Sequence, residues 1–250
     1  MRAADPTAAG PDASAVAATP RERLLQSALE VVTADGLEGL TLRAIARRAG
    51  VSHGAPLRHF PSLASLLAAV GADGFARLID TVDGHLSAAD RAATEAGHTL
   101  GPRRRLSVAG QAYVRFALTD PGVFSVTFRP ERVDVTDPEY QRQGAAAFQQ
   151  LVDLVEAVQA EGWEADRPSD AVAAVVWAQV HGLAVLALHG ALGAVVADPG
   201  PVDRDGPDSA DGADGPDGAD PTEGGLAVRL AALSTHLWVG DDPDLPPSPT

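Results

Sequence analysis

The sequence predicts an all-α protein, and three observations lead to that fold class. Aromatic residues make up only 4% of a chain whose hydrophobic fraction is 45%, which favours closely packed helices over an aromatic-rich β sandwich. Apolar residues recur at helical spacing in several segments, and no segment shows the apolar–polar alternation of a half-buried strand. No internal repeat is visible, and 250 residues are enough for one or two domains with a substantial core.

The charge of the chain is distributed unevenly. The formal net charge is −15, yet residues 20–60 hold six arginines against four acidic residues, a local charge of +2. A polyanion would therefore be attracted to only one end of the molecule. There is no cysteine, so disulfides and thiolate metal sites are excluded. The first twenty residues lack the apolar stretch of an export signal, and we expect a cytoplasmic protein.

The first predicted helix follows an Ala/Pro/Asp-rich arm, residues 1–18, that we expect to be disordered. Thr19 precedes Pro20 and stands three residues before Glu22, the spacing of a capping box with a proline at the first helical position. Apolar residues then recur at helical spacing until Asp35-Gly36, a typical helix end.

Two short helices joined by a glycine turn are predicted next. Thr41 is the expected N-cap of the first, which runs to Ala49, and Gly50 permits the tight reversal that follows. Ser52 is the expected N-cap of the second, which ends near Phe60. Two helices of this length and spacing form a helix-turn-helix. After them, Ser62 is expected to cap a longer helix.

The rest of the chain is predicted to be a helical body. Helices are expected from Pro102 to Asp120 and from Pro138 to Ala160, whereas residues 121–130 are ambiguous between a short helix and a strand. Residues 197–225, with nine acidic residues and one arginine, and the tail 240–250 are expected to be disordered. A last helix carries leucines spaced 4, 3 and 4 as a narrow packing seam, Leu226, Leu230, Leu233 and Leu237.

An uncharged apolar segment, residues 171–196, is long enough to span a bilayer. Gln179, His181 and His189 lie inside it, and its flanks are acidic and flexible rather than basic. A soluble protein also needs such a helix where one face meets its own core and the other a partner subunit. We therefore expect no membrane span.

The helix-turn-helix suits DNA, because its second helix can lie in the major groove while the first crosses the phosphate backbone. The two helix N-termini and four arginines, Arg43, Arg47, Arg48 and Arg58, are expected to contact phosphates. His53 and Arg58 are candidates for base edges, and Ala55 or Leu57 for a thymine methyl group. A metal site at His53 and His59 is disfavoured, because no third ligand lies nearby.

Several segments within residues 20–78 form a specific pattern: "ALEVV", "GLEGLTLRAIARRAGVS", "LRHF" and the "LLAAV" that opens the next helix. With them the region resembles the DNA-binding domain of the tetracycline-repressor (TetR) family of bacterial regulators. The resemblance implies a three-helix, helix-turn-helix DNA-binding head, residues 19–78 with the motif at 41–60. This head is expected on a helical ligand-binding and dimerisation body, residues 79–239. Members usually repress transcription as dimers and release DNA when a small molecule binds the body.

The resemblance also assigns DNA contacts. Thr41 and Arg43 match family positions on the first helix of the motif, and residues 52–59 match the recognition helix. Leu57 stands where the family commonly has tyrosine and Leu63 where it has lysine, and both usual residues anchor phosphates. Their loss is expected to cost about 1 kcal/mol or more per charged hydrogen bond. The candidate DNA-binding residues are Thr41, Leu42, Arg43, Arg47, Ser52, His53, Gly54, Ala55, Pro56, Leu57, Arg58 and His59.

The segment "WAQVHGL" places Trp177 and His181 on one helical face, with Gly182 allowing another helix to approach closely. This pattern resembles the C-terminal domain of a TetR subgroup named for its Trp-His-Gly motif, over residues 103–196. We expect an apolar cavity with one titratable group; the alternative is that His181 only bonds a neighbouring helix in a packed core. The candidate ligand-binding residues are Tyr113, Phe116, Phe124, Phe128, Trp177 and His181.

The predicted function is a DNA-binding transcriptional repressor that a small apolar effector releases from its double-stranded operator. A homodimer built on helices 170–193 and 226–238 is expected. The alternative is a ligand sensor or interaction protein of the same fold with weakened or lost specific DNA binding. No Ser–His–carboxylate grouping or phosphate loop is recognisable, so no enzymatic activity, cofactor or metal is expected.

Overall fold

The structure, a computed structural model, describes residues 18–192, 225 and 227–231. Every regular element in these ranges is helical, which confirms the all-α fold. The predicted arm, most of the acidic segment 197–225 and the tail 240–250 lie outside the described residues, as does most of the last helix. The numbered helices are α1 Pro20–Asp35, α2 Leu42–Arg48, α3 Ala55–His59, α4 Leu63–Glu95, α5 Pro102–Thr119, α6 Pro121–Thr127, α7 Pro138–Gln159 and α8 Ser169–Leu188.

Three predicted helix starts are confirmed by their caps. Thr19 and Glu22 form the reciprocal capping box of α1, with bonds of 3.2 and 2.8 Å. The Thr41 hydroxyl accepts a hydrogen bond from the Ala44 N–H at 3.1 Å and so caps α2. Ser62 caps α4 in the same way. These bonds satisfy donors that the first turn of a helix cannot pair internally.

The start of α3 differs from the prediction. Ser52 does not cap it, because the helix begins only at Ala55 with Gly54 as N-cap and without a side-chain cap. The Ser52 carbonyl instead accepts from the Ala55 N–H at 2.9 Å, which makes residues 52–55 a turn. The ambiguous segment after Asp120 is helix α6 rather than a strand.

The head is built on its own apolar core. This core combines side chains from α1, α2 and the start of α4, namely Leu24, Val31, Ile45, Leu66 and Val70, together with Phe60. Val126 of α6 and Val133 of the following loop complete it. The Asp134 N–H also donates to the Ala64 carbonyl at 3.0 Å. The head core is therefore closed partly by residues far along the chain, which sequence patterns did not indicate.

Helix α4 is continuous from the head into the body. Its first turns carry Leu66 and Val70 into the head core, and its later turns carry Leu78, Val82 and Leu86 into the body core. Two glycines on α4 permit close packing: a Cβ on Gly71 would meet the Tyr140 ring at 2.7 Å, and one on Gly74 would overlap Thr127. The close approach of α6 and α7 therefore requires glycine at both positions.

Helix α8 packs only part of its surface against the body. It is the one helix in the described residues that is long and apolar enough to cross a membrane, and 22% of its most apolar stretch is buried. Val175 and Leu186 are among the exposed large apolar side chains, with 46% and 45% of their surfaces accessible. A wide apolar face of α8 is thus left uncovered by the described part of the chain.

Candidate DNA-binding surface and ligand cavity

The turn between α2 and α3 depends on one glycine. Gly50 has a φ of 66°, in the left-handed region that favours glycine. The turn is closed by the Val51 N–H, which donates to the Ala46 carbonyl at 3.0 Å. Ile45 has no exposed surface and anchors α2 in the head core. Because both ends of the turn are fixed, α3 is held at a defined angle on the outside of the head.

Three arginines on this surface lack ion pairs within the described part of the chain. Arg43 and Arg47 on α2 and Arg58 on α3 are all exposed. Arg48 differs, because its Nε lies 2.7 Å from the Glu30 carboxylate of α1. Its charge is therefore partly neutralised within the head. The other three cations remain available to an external anion.

The predicted DNA-binding residues do not all reach the surface. Pro56 is fully buried in the head, which rules out a side-chain contact with DNA, and Leu42 is half-buried. Ala55 is also half-buried. The predicted residues that are exposed are Thr41, Arg43, Arg47, Ser52, His53, Gly54, Leu57, Arg58 and His59.

The two positions that depart from the family pattern have different environments. Leu57, at the centre of α3, is 58% exposed, so an apolar side chain stands where the family usually presents a tyrosine hydroxyl. Leu63 is half-buried against the head core. A residue that the sequence did not suggest, Arg21, lies with its guanidinium 5.2 Å from the centre of the Phe60 ring and adds positive charge near the end of α3.

A cavity of about 830 Å³ lies in the body, with walls from α4, α5, α7 and α8 and the end of α6. Its size falls in the range typical of small-molecule sites. Four of the six predicted residues line it: Tyr113, Phe128, Trp177 and His181. Phe116 and Phe124 do not; they are buried in the body core, and the Phe124 ring stacks behind His181 at 5.4 Å.

A hydrogen-bond chain connects three of the lining residues. The Trp177 Nε1–H donates to the Tyr113 hydroxyl oxygen at 3.2 Å, and that hydroxyl lies 2.7 Å from His181 Nδ1. Tryptophan can only donate and the tyrosine oxygen accepts its hydrogen, so we assign the Tyr113 O–H as the donor to Nδ1. Burial raises the pKa of Tyr113 well above its usual value and lowers the pKa of His181. The neutral form of both groups is therefore favoured.

Sequence reasoning missed half of the aromatic lining. Phe75, Tyr140 and Phe148 join Tyr113, Phe128 and Trp177 around the cavity, although they come from two other helices, α4 and α7. The Tyr140 hydroxyl donates to the Thr127 carbonyl at 3.0 Å, which links α7 to α6. The expected close approach at Gly182 is wrong for the described chain, because a Cβ there would meet no atom within 4 Å.

The described residues hold no group of three or more histidine, aspartate or glutamate side chains that could bind a metal ion. His53 and His59 are both exposed on the helix-turn-helix surface. The chemistry that the two sites offer is therefore anion contact at the head and apolar contact with a few hydrogen bonds in the body.

Comparison with known proteins relates both regions to one kind of protein. Residues 24–70 match the model "Bacterial regulatory proteins, tetR family", and residues 106–203 match "Tetracyclin repressor-like, C-terminal domain". No curated protein matches the chain significantly.

Solved structures share the fold over nearly the whole chain. A Rhodococcus sp. RHA1 protein of unknown function is 27% identical with a TM-score of 0.60, covering 90% of this chain and 97% of that one. A TetR family transcription regulator from Marinobacter aquaeolei VT8 is 16% identical with a TM-score of 0.55, covering 86% and 94%.

The helix-turn-helix head and the helical body with an internal cavity define a class of protein: helical DNA-binding regulators. The two matched models together span more than half of the 250 residues. The chain belongs to the tetR family of bacterial regulatory proteins.

Proposed function

We propose that the chain is a cytoplasmic, homodimeric repressor that binds a double-stranded DNA operator and leaves it when a small, largely apolar effector occupies the cavity. In this proposal residues 19–78 form the DNA-binding head, and residues 79–239 form the ligand-binding and dimerisation body. The observation that carries the DNA-binding part is a set of exposed arginines on the helix-turn-helix surface that form no ion pair with any described residue: Arg43, Arg47 and Arg58.

Electrostatics support contact with DNA at this surface of the head. The whole protein carries −15 charges, so non-specific attraction to a polyanion is weak away from the head. Each arginine that neutralises a phosphate releases counterions, which makes DNA affinity fall steeply as salt is added. Arg48 contributes little, since Glu30 already neutralises it.

Helix α4 supports the coupling between effector and DNA. Phe75, Leu78 and Val82 of α4 line the cavity, while Leu66 and Val70 of the same helix lie in the head core. A ligand that displaces the later turns of α4 therefore moves the head, and in a dimer it changes the distance between the two recognition helices. Two half-sites on DNA are bound together only at one separation, so this movement weakens operator binding.

The uncovered face of α8 supports the homodimer. Val175 and Leu186 are exposed to nearly half of their surfaces in a helix without charged residues after Asp170. A second copy of α8 against this face would remove apolar surface from water and form an isologous contact, as expected for a two-fold dimer.

Fluorescence anisotropy with labelled duplexes tests the proposal. The full-length chain is titrated with the DNA upstream of its own gene and with a shuffled duplex of equal composition, at two salt concentrations. A repressor binds the first duplex with a Kd in the nanomolar range, far below that of the shuffled duplex, with a steep salt dependence. Equal and weak binding of the two duplexes would contradict it.

A second function is favoured by one observation, the exposed Leu57 at the centre of α3. An apolar side chain at this point removes a hydroxyl group that would otherwise bond to phosphate, so the chain would serve as a ligand sensor or interaction protein with weak DNA binding. The Leu57→Tyr variant distinguishes the two functions. A weak binder gains affinity for both duplexes alike, whereas a specific repressor already discriminates between them before the substitution.

A further inference from the structure

The walls of the cavity carry no formal charge. Among the residues that the structure describes, the lining contains no aspartate, glutamate, arginine or lysine. The Gln150 amide donates to the Asp83 carboxylate at 2.8 Å, and of these two residues only the glutamine lines the cavity. An ionic ligand would find no opposite charge on these walls, so the cavity disfavours both anions and cations.

Most hydrogen-bond donors of the lining are already used within the protein. The Tyr140 O–H donates to the Thr127 carbonyl, and the Thr127 O–H donates to the Val123 carbonyl at 2.9 Å. Trp177 and Tyr113 use their donors in the chain that ends at His181 Nδ1. Apart from the second amide hydrogen of Gln150, the remaining side-chain donor is on His181.

The hydrogen-bond chain favours one tautomer of neutral His181. With the Tyr113 O–H assigned as the donor, Nδ1 accepts and the neutral ring holds its proton on Nε2. Among the described residues, Nε2 makes no hydrogen bond, and His181 lines the cavity. The buried Tyr113 thus fixes a ring N–H donor for whatever occupies the space.

The remaining lining favours flat, apolar molecules. Six of the eleven aromatic residues in the chain surround the cavity, although aromatic residues make up only 4% of the sequence. Rings of Phe128 and Trp177 lie 6.1 Å apart, and those of Phe148 and Trp177 lie 6.5 Å apart. Aromatic side chains at such distances offer both faces and edges to an aromatic ligand.

We propose that the cavity selects an uncharged aromatic molecule with one hydrogen-bond-accepting oxygen, such as a ketone, ester, lactone or quinone, and that His181 Nε2–H donates to that oxygen. This inference rests on the proposed function, since it names the class of effector. Trp177 and Tyr113 act as positioning residues that hold the histidine in the donating tautomer.

Equilibrium dialysis of the full-length protein against four naphthalene probes tests the selection. The probes are 2-acetylnaphthalene, its isostere 2-isopropenylnaphthalene without the oxygen, the anion 2-naphthoate and the cation 2-(aminomethyl)naphthalene. We expect 2-acetylnaphthalene to bind about fivefold to tenfold more tightly than the isopropenyl isostere, the effect of one hydrogen bond. The two ions should bind at least about a hundredfold more weakly.

Three variants assign the preference to the histidine. His181→Phe removes the donor and should abolish the advantage of the acetyl probe, whereas His181→Gln keeps an N–H in place of Nε2 and should retain part of it. His189→Phe changes an exposed histidine that does not line the cavity and should leave all affinities unchanged. Circular dichroism checks that each variant is folded.

The proposal is overturned if an ionic probe binds as tightly as the acetyl probe, if no probe binds, or if folded His181→Phe keeps the acetyl preference. Loss of the preference in folded His181→Gln would overturn it as well. Should His181→Phe fail to fold, His181→Leu takes its place, and retention of the acetyl preference in that folded variant would overturn the proposal. The dialysis contains no DNA, so a negative result there does not contradict operator binding. A negative anisotropy result likewise does not contradict the selection of probes by the cavity.

Discussion

Helices α4 and α6 are in close contact at Gly74, and alanine at this position should destabilise the protein. An ideal Cβ on Gly74 would overlap Thr127 Oγ1 and would lie 2.9 Å from Val123 Cγ1 and 3.2 Å from Thr127 Cβ. Thr127 has no exposed surface, and its hydroxyl is bonded to the Val123 carbonyl. The added methyl group must therefore either separate the two helices or rotate Thr127 away from its hydrogen bond.

The expected change in the free energy of unfolding follows from three terms. Overpacking a rigid core costs about 1–3 kcal/mol. Loss of the buried Thr127 hydrogen bond adds about 1 kcal/mol. The higher helix propensity of alanine returns about 1 kcal/mol. The net expectation for Gly74→Ala is a destabilisation of about 2 kcal/mol, mainly from the overpacking.

Urea denaturation followed by circular dichroism, at a fixed protein concentration, measures this change. The matched control is Gly84→Ala on the same helix, where a Cβ would meet no atom within 4 Å. The control should gain up to about 1 kcal/mol from helix propensity alone. Combining Gly74→Ala with Thr127→Ala should cost less than the sum of the single changes, since the overlapping hydroxyl is gone. The reasoning is refuted if Gly74→Ala is as stable as Gly84→Ala.

Three further outcomes are expected. Arg58→Ala should weaken the binding of operator and shuffled DNA by similar factors and make the salt dependence of binding shallower. Arg48→Ala should change the affinity much less, because Arg48 is paired with Glu30. A changed preference at a single base pair would show instead that Arg58 reads sequence. Aspartate at Val175 and Leu186 should convert dimers to monomers in light scattering, and persistent dimers would place the interface elsewhere on the body. Burial lowers the pKa of His181 in the folded state below its ordinary value of 6.5, so the unfolded chain binds more protons and stability declines as pH falls through 6.5. The melting temperature of His181→Gln should therefore fall less steeply on acidification than that of the unsubstituted protein. Equal dependence of the two melting temperatures on pH would contradict this.

Local sequence patterns predicted the helix starts and the turn of the N-terminal head. The caps at Thr19, Thr41 and Ser62, and the glycine turn at Gly50, depend on residues within five positions of one another. Such interactions are visible in one dimension, because side-chain caps and left-handed glycines act on their own turn.

Tertiary structure decided which of the candidate residues can act. Pro56 lies within the recognition segment but is buried, and Arg48 lies beside Arg47 but is paired with α1. The identity of a charged residue does not reveal its partner when that partner is eighteen residues away on another helix. The same holds for Val126 and Val133, which close the head core from the body.

The cavity shows the same division between sequence and structure. The spacing of Trp177 and His181 placed both on one face of a helix, as a period of 3.6 residues requires. Their bonding to Tyr113, more than sixty positions earlier, and the recruitment of Phe75, Tyr140 and Phe148 depend on how four helices pack. The sequence by itself determined helices, caps and the helix-turn-helix, because these are local; only the packed structure decided the donor at His181 and the walls around it, because those contacts join distant segments.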